Sequence, residues 1–116
     1  MRGLEPFQDY YWDFYNKQST SVKTKIDYVM HIIMTVEIIP KKFFKHVEDG
    51  IYEIRIQSGS NIYRVFSFFD EGKLIILLHG FTKKTQKLPR KEIDKAVKLR
   101  RVYYESKYPK NNKRAF

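Results

Sequence analysis

Three strand-like segments separated by short turns constrain the fold of this chain more than any other feature. Residues 51–57, 62–70 and 73–82 are rich in Ile, Val, Leu, Phe and Tyr, and their apolar side chains recur with a period of two. The sequences SGSN and DEG between them are typical of hairpin turns. The last two segments are apolar on both faces over much of their length, which is typical of central strands. We therefore expect these three segments to form an antiparallel sheet.

The segments on either side of these strands complete the predicted fold. Residues 7–15 alternate aromatic and polar side chains, which predicts a first strand. A helical stripe follows, formed by Val22, Ile26, Val29, Ile33 and Val36. Pro40 ends this helix, residues 41–47 are expected to form a short second helix or turn, and Pro89 fits the first turn of a final helix. The predicted order is β-α-α-β-β-β-α, an α+β fold with a mostly antiparallel four-stranded sheet.

The length and composition fit a single folded unit. A chain of 116 residues is typical of one domain with one core. Aromatic residues make up 16% of the chain, and their large buried areas help to offset the entropy that is lost on folding. We expect residues 1–116 to form one domain, in which residues 109–116 are a loose basic tail.

The net charge points to a polyanionic partner. Lys and Arg outnumber Asp and Glu by 23 to 13, which gives a net charge of +10. Such an excess favours nucleic acid, because each phosphate contact releases condensed counterions. A solvated, highly charged surface is the alternative interpretation of the composition taken alone.

The absence of cysteine excludes several kinds of chemistry. The chain can form no disulfide, no zinc–thiolate site and no thiol nucleophile, which fits a reducing cytosol. The first residues, MRGLEPFQDYYWDF, lack a basic region followed by an apolar core, so we expect no secretory signal. The apolar runs are far shorter than a membrane span. We therefore expect a cytoplasmic protein that does not contact membranes.

The two hairpin turns predict which residues face each other across the strands. If the SGSN turn is symmetric, Arg55 lies opposite Arg64. If Glu71-Gly72 is a two-residue loop, Arg64 lies opposite His79, and the three side chains form one row on one face. Two opposed arginines repel each other unless something anionic lies between them. A phosphate fits this position, because guanidinium groups bind phosphate in a bidentate manner.

Two alternatives to this phosphate site remain open at the level of sequence. Glu53 or Asp70 could pair with the arginines, in which case nothing binds. A bulge at Gly72 would change the register of the second hairpin and place His79 on the other face.

A basic segment, HGFTKKTQKLPR, runs off the end of the third strand. It carries the cations Lys83, Lys84, Lys87 and Arg90 and the hydrogen-bonding residues Thr82, Thr85 and Gln86. Loops at strand ends are common positions for functional sites. Phe81 and Tyr63 could stack on unpaired bases, as aromatic residues do in proteins that read single-stranded RNA. A solvated basic loop with both rings packed in the core is the alternative.

The sequence indicates neither a metal site nor a cofactor. His31 and His46 have no partners at ligand spacing, so we interpret both as structural or surface residues. No cluster of carboxylates suggests a magnesium site. We therefore expect no metal and no cofactor.

Several motifs of this chain match those of one known family. They are Tyr52-Glu53-Ile54-Arg55, Tyr63-Arg64, His79-Gly80-Phe81, Lys83-Lys84-Thr85-Gln86-Lys87 and Lys91-Glu92-Ile93. Together with the G-F-x-K-K-T-x-K core, they resemble the phage-derived HigB-like branch of the RelE toxin superfamily. The resemblance extends over roughly residues 10–105 and is more specific than a lone glycine motif.

This resemblance implies a RelE-like fold and a ribonuclease that is neutralised by an antitoxin, a helix-turn-helix protein encoded beside it. Members of the superfamily typically cut mRNA on the ribosome without a metal, through attack by the 2′-hydroxyl next to the scissile phosphate. That reaction needs a base, cations around the phosphorane and an acid for the leaving oxygen. The resemblance implies catalytic roles for Arg55, Arg64, His79, Lys83 and Lys84. It implies RNA contacts for Tyr63, Phe81, Gln86, Lys87 and Arg90.

Two other functions compete with a ribonuclease. A gyrase-inhibiting toxin of the ParE type would have the same fold without the ribonuclease residues, and the presence of both arginines and of KKTQK argues against it. A non-catalytic nucleic-acid-binding module would use the same cations to bind phosphate without cutting RNA. The sequence leaves this second alternative open.

Overall fold

The protein combines one sheet with helices on both faces. The computed structural model describes residues 1–83 and 87–108, except for the side chain of Lys83. The elements in these ranges are β1 (Gly3–Pro6), α1 (Tyr10–Asn16), α2 (Thr20–Thr35), β2 (Phe44–Glu48), β3 (Ile51–Ser58), β4 (Asn61–Phe69), β5 (Leu74–Lys83) and α3 (Arg90–Lys107). The strands form a five-stranded sheet in the order β1-β5-β4-β3-β2. Because β1 is parallel to β5 and the other pairs are antiparallel, the sheet is mixed.

The α+β class, the long first helix, the three consecutive strands and the final helix after Pro89 are confirmed. The predicted helical stripe belongs to α2, which begins after Ser19, whose hydroxyl caps the helix by accepting a hydrogen bond from the Val22 amide at 3.3 Å. The helix ends at Thr35, with Val36 as its extended C-cap residue, so the prediction that Pro40 ends it is wrong. The sheet has five strands rather than the predicted four, since β1 and β2 were both missed. The predicted tail, residues 109–116, lies outside the described residues.

The prediction of a strand over residues 7–15 is wrong. These residues hold the helix α1, and the first strand lies upstream of it. The cause is the density of aromatic residues, which satisfies either period. The alternating Tyr10, Trp12 and Phe14 suggest a strand, whereas the buried Tyr11 and Phe14 are spaced three residues apart, as on one face of a helix.

The prediction of a helix or turn over residues 41–47 is wrong for most of that segment. A turn brings the Phe43 amide to the Pro40 carbonyl at 2.9 Å, and β2 begins at the next residue. This strand lies at the edge of the sheet and pairs with β3 alone, with Lys45 opposite Glu53. Five residues with an irregular pairing carry too little periodicity for an edge strand to be identified from sequence.

The register of the first hairpin is confirmed and that of the second is wrong. A two-residue turn, with Gly59 at a φ of 63°, joins Ser58 to Asn61 and places Arg55 opposite Arg64. In the second hairpin, the residue opposite Arg64 is Phe81 and not His79.

The shift in the second hairpin has two causes. Its turn is longer than two residues, because the Asp70 amide bonds the Leu74 carbonyl at 2.8 Å. In addition, β5 has one more residue than β4 between the pairs Val65–Gly80 and Ser67–Leu77, which is a β-bulge.

Apolar side chains cover both faces of the sheet. On one face, the buried residues of α2 pack against the sheet residues Ile54, Ile56, Val65, Ile75 and Leu77. On the other face, Ile93, Ala96 and Leu99 of α3 pack against Ile51, Phe66, Phe68, Ile76 and Leu78. The end of α3 is held by Asp70, which accepts hydrogen bonds from Tyr103 at 2.7 Å and Lys107 at 2.6 Å. No helix in the described part of the chain is both long and apolar enough to cross a membrane.

Gly80 allows α1 to pack closely on β5. A Cβ at this position would lie 2.5 Å from Cγ of Phe14, which is far inside van der Waals contact. Phe14 itself is buried between α1 and the sheet. Only glycine therefore lets the ring of Phe14 lie directly on the backbone of β5.

We expect Gly80→Ala to destabilise the protein by about 1–3 kcal/mol, because the added methyl group overpacks the contact with Phe14. Phe14→Ala should cost about 3–5 kcal/mol through the cavity that it leaves. In the double variant the cavity accepts the methyl group, so the loss should be smaller than the sum of the two single losses. Chemical denaturation of the four proteins measures this coupling, and strictly additive losses would contradict the contact.

Candidate functional site

Two arginines and one glutamate form an ion-pair cluster in the middle of the sheet. Arg64 donates a hydrogen bond through Nε to Oε2 of Glu53, and Nε of Arg55 lies 3.5 Å from the same oxygen atom. The side chain of Arg64 is 1% exposed, that of Glu53 is 6% exposed and that of Arg55 is 22% exposed. Arg64 therefore lies at the bottom of the cluster, and Arg55 faces outward.

The positions of these three residues follow from the strand pairing. Glu53 and Arg55 are two residues apart on β3, so both side chains lie on the same face. The first hairpin places Arg64 opposite Arg55, and β2 places Lys45 opposite Glu53. This is the face that α3 covers farther along, through Phe66 and Phe68.

Glu53 is the anion between the two arginines. Of the alternatives that the sequence leaves open, pairing with Glu53 is therefore present, whereas Asp70 contacts Tyr103, Tyr104 and Lys107 instead. Breaking a buried ion pair by removing one partner typically costs about 3–5 kcal/mol, because the remaining charge is left without compensation. The cluster still carries more positive than negative charge, and Lys45 adds to this excess.

A pocket of about 230 Å³ opens over the cluster. Its lining consists of Lys45, His46, Val47, Glu53, Arg55, Arg64 and Leu88. The ring of His46 lies 5.2 Å from that of Tyr52, between ring centroids, and neither residue shares the face of Glu53 by strand alternation. The polar side chains that line this arginine pocket on the face of Glu53 are thus one carboxylate, two guanidinium groups and one ammonium group.

His79 does not lie in the arginine pocket. Its Nε2 lies 3.0 Å from Oε1 of Glu92 on α3, and its ring is 5.5 Å from that of Phe66. Since Phe81 occupies the position opposite Arg64, His79 is displaced along β5. Within the described residues, Nδ1 of His79 is buried and has no hydrogen-bond partner.

The environment of His79 favours its neutral form. Burial lowers the pKa of His79 below its ordinary value of 6.5, and the nearby ammonium group of Lys95 lowers this pKa further. The carboxylate of Glu92 raises the pKa but does not outweigh the other two effects.

The predicted RNA-contacting residues that the structure describes, Tyr63, Phe81, Lys87 and Arg90, do not line the arginine pocket. Tyr63 is buried in the core on the side of α2, where no base could stack on it as the residue is placed. Arg90 binds both carboxylate oxygens of Glu48, at 2.9 and 2.6 Å, and also contacts Asp94, so it joins the start of α3 to β2. Phe81 is half-buried beside His79, and Lys87 is exposed. The side chain of Lys83 and all of Lys84 and Gln86 lie outside the described residues.

Lys45 is a member of the site that was not predicted. Glu53 was predicted only as a residue that could pair with the arginines in place of a phosphate. The alternation of Glu53 and Arg55 along one strand was visible in the sequence. The position of Lys45 opposite Glu53 could not be predicted, because residues 41–47 were expected to form a helix or turn and so had no cross-strand partner. In residues 1–83 and 87–108, no group of three or more His, Asp or Glu side chains is placed to hold a metal ion.

We expect opposite changes in the pKa of His79 when its two charged neighbours are neutralised. Glu92→Gln should lower this pKa further, because it removes the anion that favours imidazolium. Lys95→Gln should raise it, because it removes a like charge. An NMR titration of the imidazole ring protons measures both shifts, and shifts of the same sign would contradict the geometry.

Comparison with known proteins identifies a family. The family model described as "Phage derived protein Gp49-like (DUF891)" matches residues 13–101, which is more than half of the chain. A search of curated proteins finds no match. The matched region runs from α1 into α3 and includes the arginine pocket and His79. This family consists of proteins like the RelE/HigB-type toxins, which implies a toxin–antitoxin type of module with an antitoxin partner. The chain belongs to the Gp49-like family of phage-derived, toxin-like proteins.

Proposed function

We propose that this protein is the toxin of a type II toxin–antitoxin system and that it cleaves mRNA as a metal-independent endoribonuclease, with ribosome-associated mRNA as its substrate. The observation that carries the proposal is the arginine pocket, in which Arg55 and Arg64 converge on a single oxygen of Glu53. Membership of a toxin-like family supports the same conclusion.

In this proposal the scissile phosphate binds at the mouth of the arginine pocket. Arg55 is the more exposed guanidinium and makes the first contact, with Lys45 beside it. Arg64 lies beneath and holds Glu53 in place through its Nε. Cations fixed in this way stabilise the charge that grows on the phosphoryl oxygens as the phosphorane forms.

The carboxylate of Glu53 is the proposed acceptor for the proton of the attacking 2′-hydroxyl. The 2′-oxygen then bonds to phosphorus, and the bond from phosphorus to the 5′-oxygen breaks. The products are a 2′,3′-cyclic phosphate and a 5′-hydroxyl end, once an acid has given a proton to the departing 5′-oxygen. Lys45 stands opposite Glu53 and is one candidate for that acid, and Lys83 and Lys84 stay as further candidates. His79 lies too far along β5 to act in the pocket as it is placed.

One observation favours binding without cleavage. Glu53 already neutralises part of the positive charge that a phosphate would meet. A module that only binds nucleic acid would use the remaining excess charge and Lys45, with the ion pairs serving to hold the strands in register. The two functions differ in their products, so they can be separated by looking for new RNA ends.

We expect Arg55→Gln to reduce cleavage by about 10²- to 10³-fold, because it removes one donor that stabilises the transition state. Arg55 is a better choice than Arg64, since Arg64 remains to compensate Glu53 and the variant should stay folded. Arg101→Gln removes the same charge from an exposed position on α3 and serves as the control. The measurement maps new RNA 5′ ends after incubation with mRNA and ribosomes in magnesium buffer, and compares untreated protein with protein stripped of bound metal by EDTA and dialysis.

The wild type and the control variant Arg101→Gln decide how the result is interpreted. New 5′-hydroxyl ends that form with the stripped and untreated wild type and with Arg101→Gln, but not with Arg55→Gln, support the ribonuclease. If the folded wild type binds RNA or ribosomes and yields no new ends, the proposal is wrong and the binding module is favoured. Thermal unfolding of each variant verifies that loss of cleavage is not loss of folding.

A second prediction concerns the antitoxin. With a net charge of +10, the toxin should attract an acidic segment of its partner, and the association rate should fall as salt screens this attraction. Stopped-flow mixing with the product of the adjacent reading frame, over a series of salt concentrations, measures the effect. An association rate that does not change with ionic strength would argue against electrostatic steering.

A further inference from the structure

A second cleft lies on the far side of Phe81 from the arginine pocket. It is enclosed by α1, the outer end of β5 and α3, and its volume is about 460 Å³. This is within the usual range for pockets that bind small ligands. The cleft owes its shape to Gly80, because the close packing of Phe14 on β5 fixes where α1 lies beside the strand.

The lining of this cleft, which we call the α1 cleft, combines aromatic, cationic and hydrogen-bonding side chains. Phe81 and Tyr10 supply aromatic rings, and Lys17 and Lys95 supply ammonium groups. Polar groups that could read the edge of a base are Asp13, Gln18 and Thr82. Aromatic rings next to ammonium groups are the typical composition of a site for a nucleotide of single-stranded nucleic acid.

The α1 cleft lies next to the arginine pocket on the sheet. Phe81 lines the cleft and is also the residue directly opposite Arg64. Neighbouring strands are about 4.8 Å apart, so one strand spacing separates the backbone at Arg64 from the strand that borders the cleft. A chain of RNA with one phosphate at the arginine pocket therefore has the cleft within reach of an adjacent nucleotide.

The wall of the α1 cleft contains the buried histidine that the proposed cleavage does not use. His79 lines the cleft and is tied to α3 through Glu92. Its Nδ1 has no hydrogen-bond partner within the described residues, which is an unfavourable state for a buried polar atom.

We propose that the α1 cleft binds one nucleotide of single-stranded RNA next to the cleaved phosphate. The base stacks on Phe81, and a backbone phosphate contacts Lys17 and Lys95. This inference rests on the proposed function for its substrate, and it assigns the choice of sequence around the cut to this cleft. The arginine pocket would then act on every phosphate alike, whereas the α1 cleft would select which phosphate reaches it.

The test uses RNA pentanucleotides that are 2′-O-methylated throughout, because these lack the attacking hydroxyl and cannot be cleaved. Their affinity is measured by fluorescence anisotropy over a series of salt concentrations. Lys17→Gln removes the phosphate contact from α1, and Phe81→Leu removes the stacking surface from β5. Lys25→Gln is the matched control, because it removes an exposed lysine from α2 outside the cleft.

We expect Lys17→Gln to weaken binding and to reduce the slope of log affinity against log salt by about 0.7, the value for one phosphate contact on a single strand. Phe81→Leu should weaken binding by about tenfold or more, through the loss of base stacking. Lys25→Gln should leave both the affinity and the slope as in the wild type. Substituting the bases of the pentanucleotide one at a time should change the affinity of the wild type at one position and not that of Phe81→Leu.

The outcomes separate this inference from the proposed function. If both cleft variants bind the pentanucleotides as the wild type and Lys25→Gln do, the inference is wrong, even if the protein cleaves RNA. If the wild type cleaves no RNA but the cleft variants lose affinity as expected, the nucleotide site stands and the ribonuclease fails. Thermal unfolding of each variant excludes misfolding as the cause of weaker binding.

Discussion

Two arginines face each other across β3 and β4, and the carboxylate of Glu53 makes this arrangement stable. Opposed like charges destabilise a strand pair, and Arg64 is almost fully buried. Because both guanidinium groups reach the same oxygen of Glu53, the three side chains fix one another's positions. Replacing such a cluster by apolar residues is often neutral or stabilising, so stability alone is a weak reason for a protein to have one.

The contact of Gly80 with Phe14 is a second constraint, and the α1 cleft depends on it. It places α1 beside the outer end of β5, where β1 no longer covers the strand, since β1 pairs only with residues 74–77. The bulge in β5 then places Phe81 opposite Arg64 and His79 beside Glu92. These two local features of β5 thereby shape the α1 cleft, which lies next to the arginine pocket formed by β2, β3, β4 and Leu88.

The elements that could be predicted from the sequence are those with a strong local pattern. The three central strands and the long helix were identified because each repeats its period several times, and the register of the first hairpin followed from a two-residue turn. The second register failed because a longer turn and a bulge both changed it, and neither has a clear sequence signature. The short elements α1 and β2 failed because seven and five residues carry too few repeats to distinguish the periods. As a result, the opposition of Arg55 and Arg64 was predictable, whereas Lys45 and the α1 cleft were not.

The distribution of charge along the chain fits the positions of these two sites. Residues 1–37, which form β1, α1 and α2, contain four Lys or Arg and five Asp or Glu, so their net charge is −1. The rest of the chain has a net charge of +11, of which residues 38–83 and 87–108, with the strands of the arginine pocket and α3, carry +7. If the protein binds a polyanion, we expect it to approach this part of the molecule, since exposed charges act strongly only within about 8–10 Å in physiological salt. Lys17, the C-cap residue that follows α1, is the cation that the N-terminal part contributes to the α1 cleft. A nucleotide in this cleft would thus lie between a part of the molecule with a slightly negative net charge and a part with a strongly positive one.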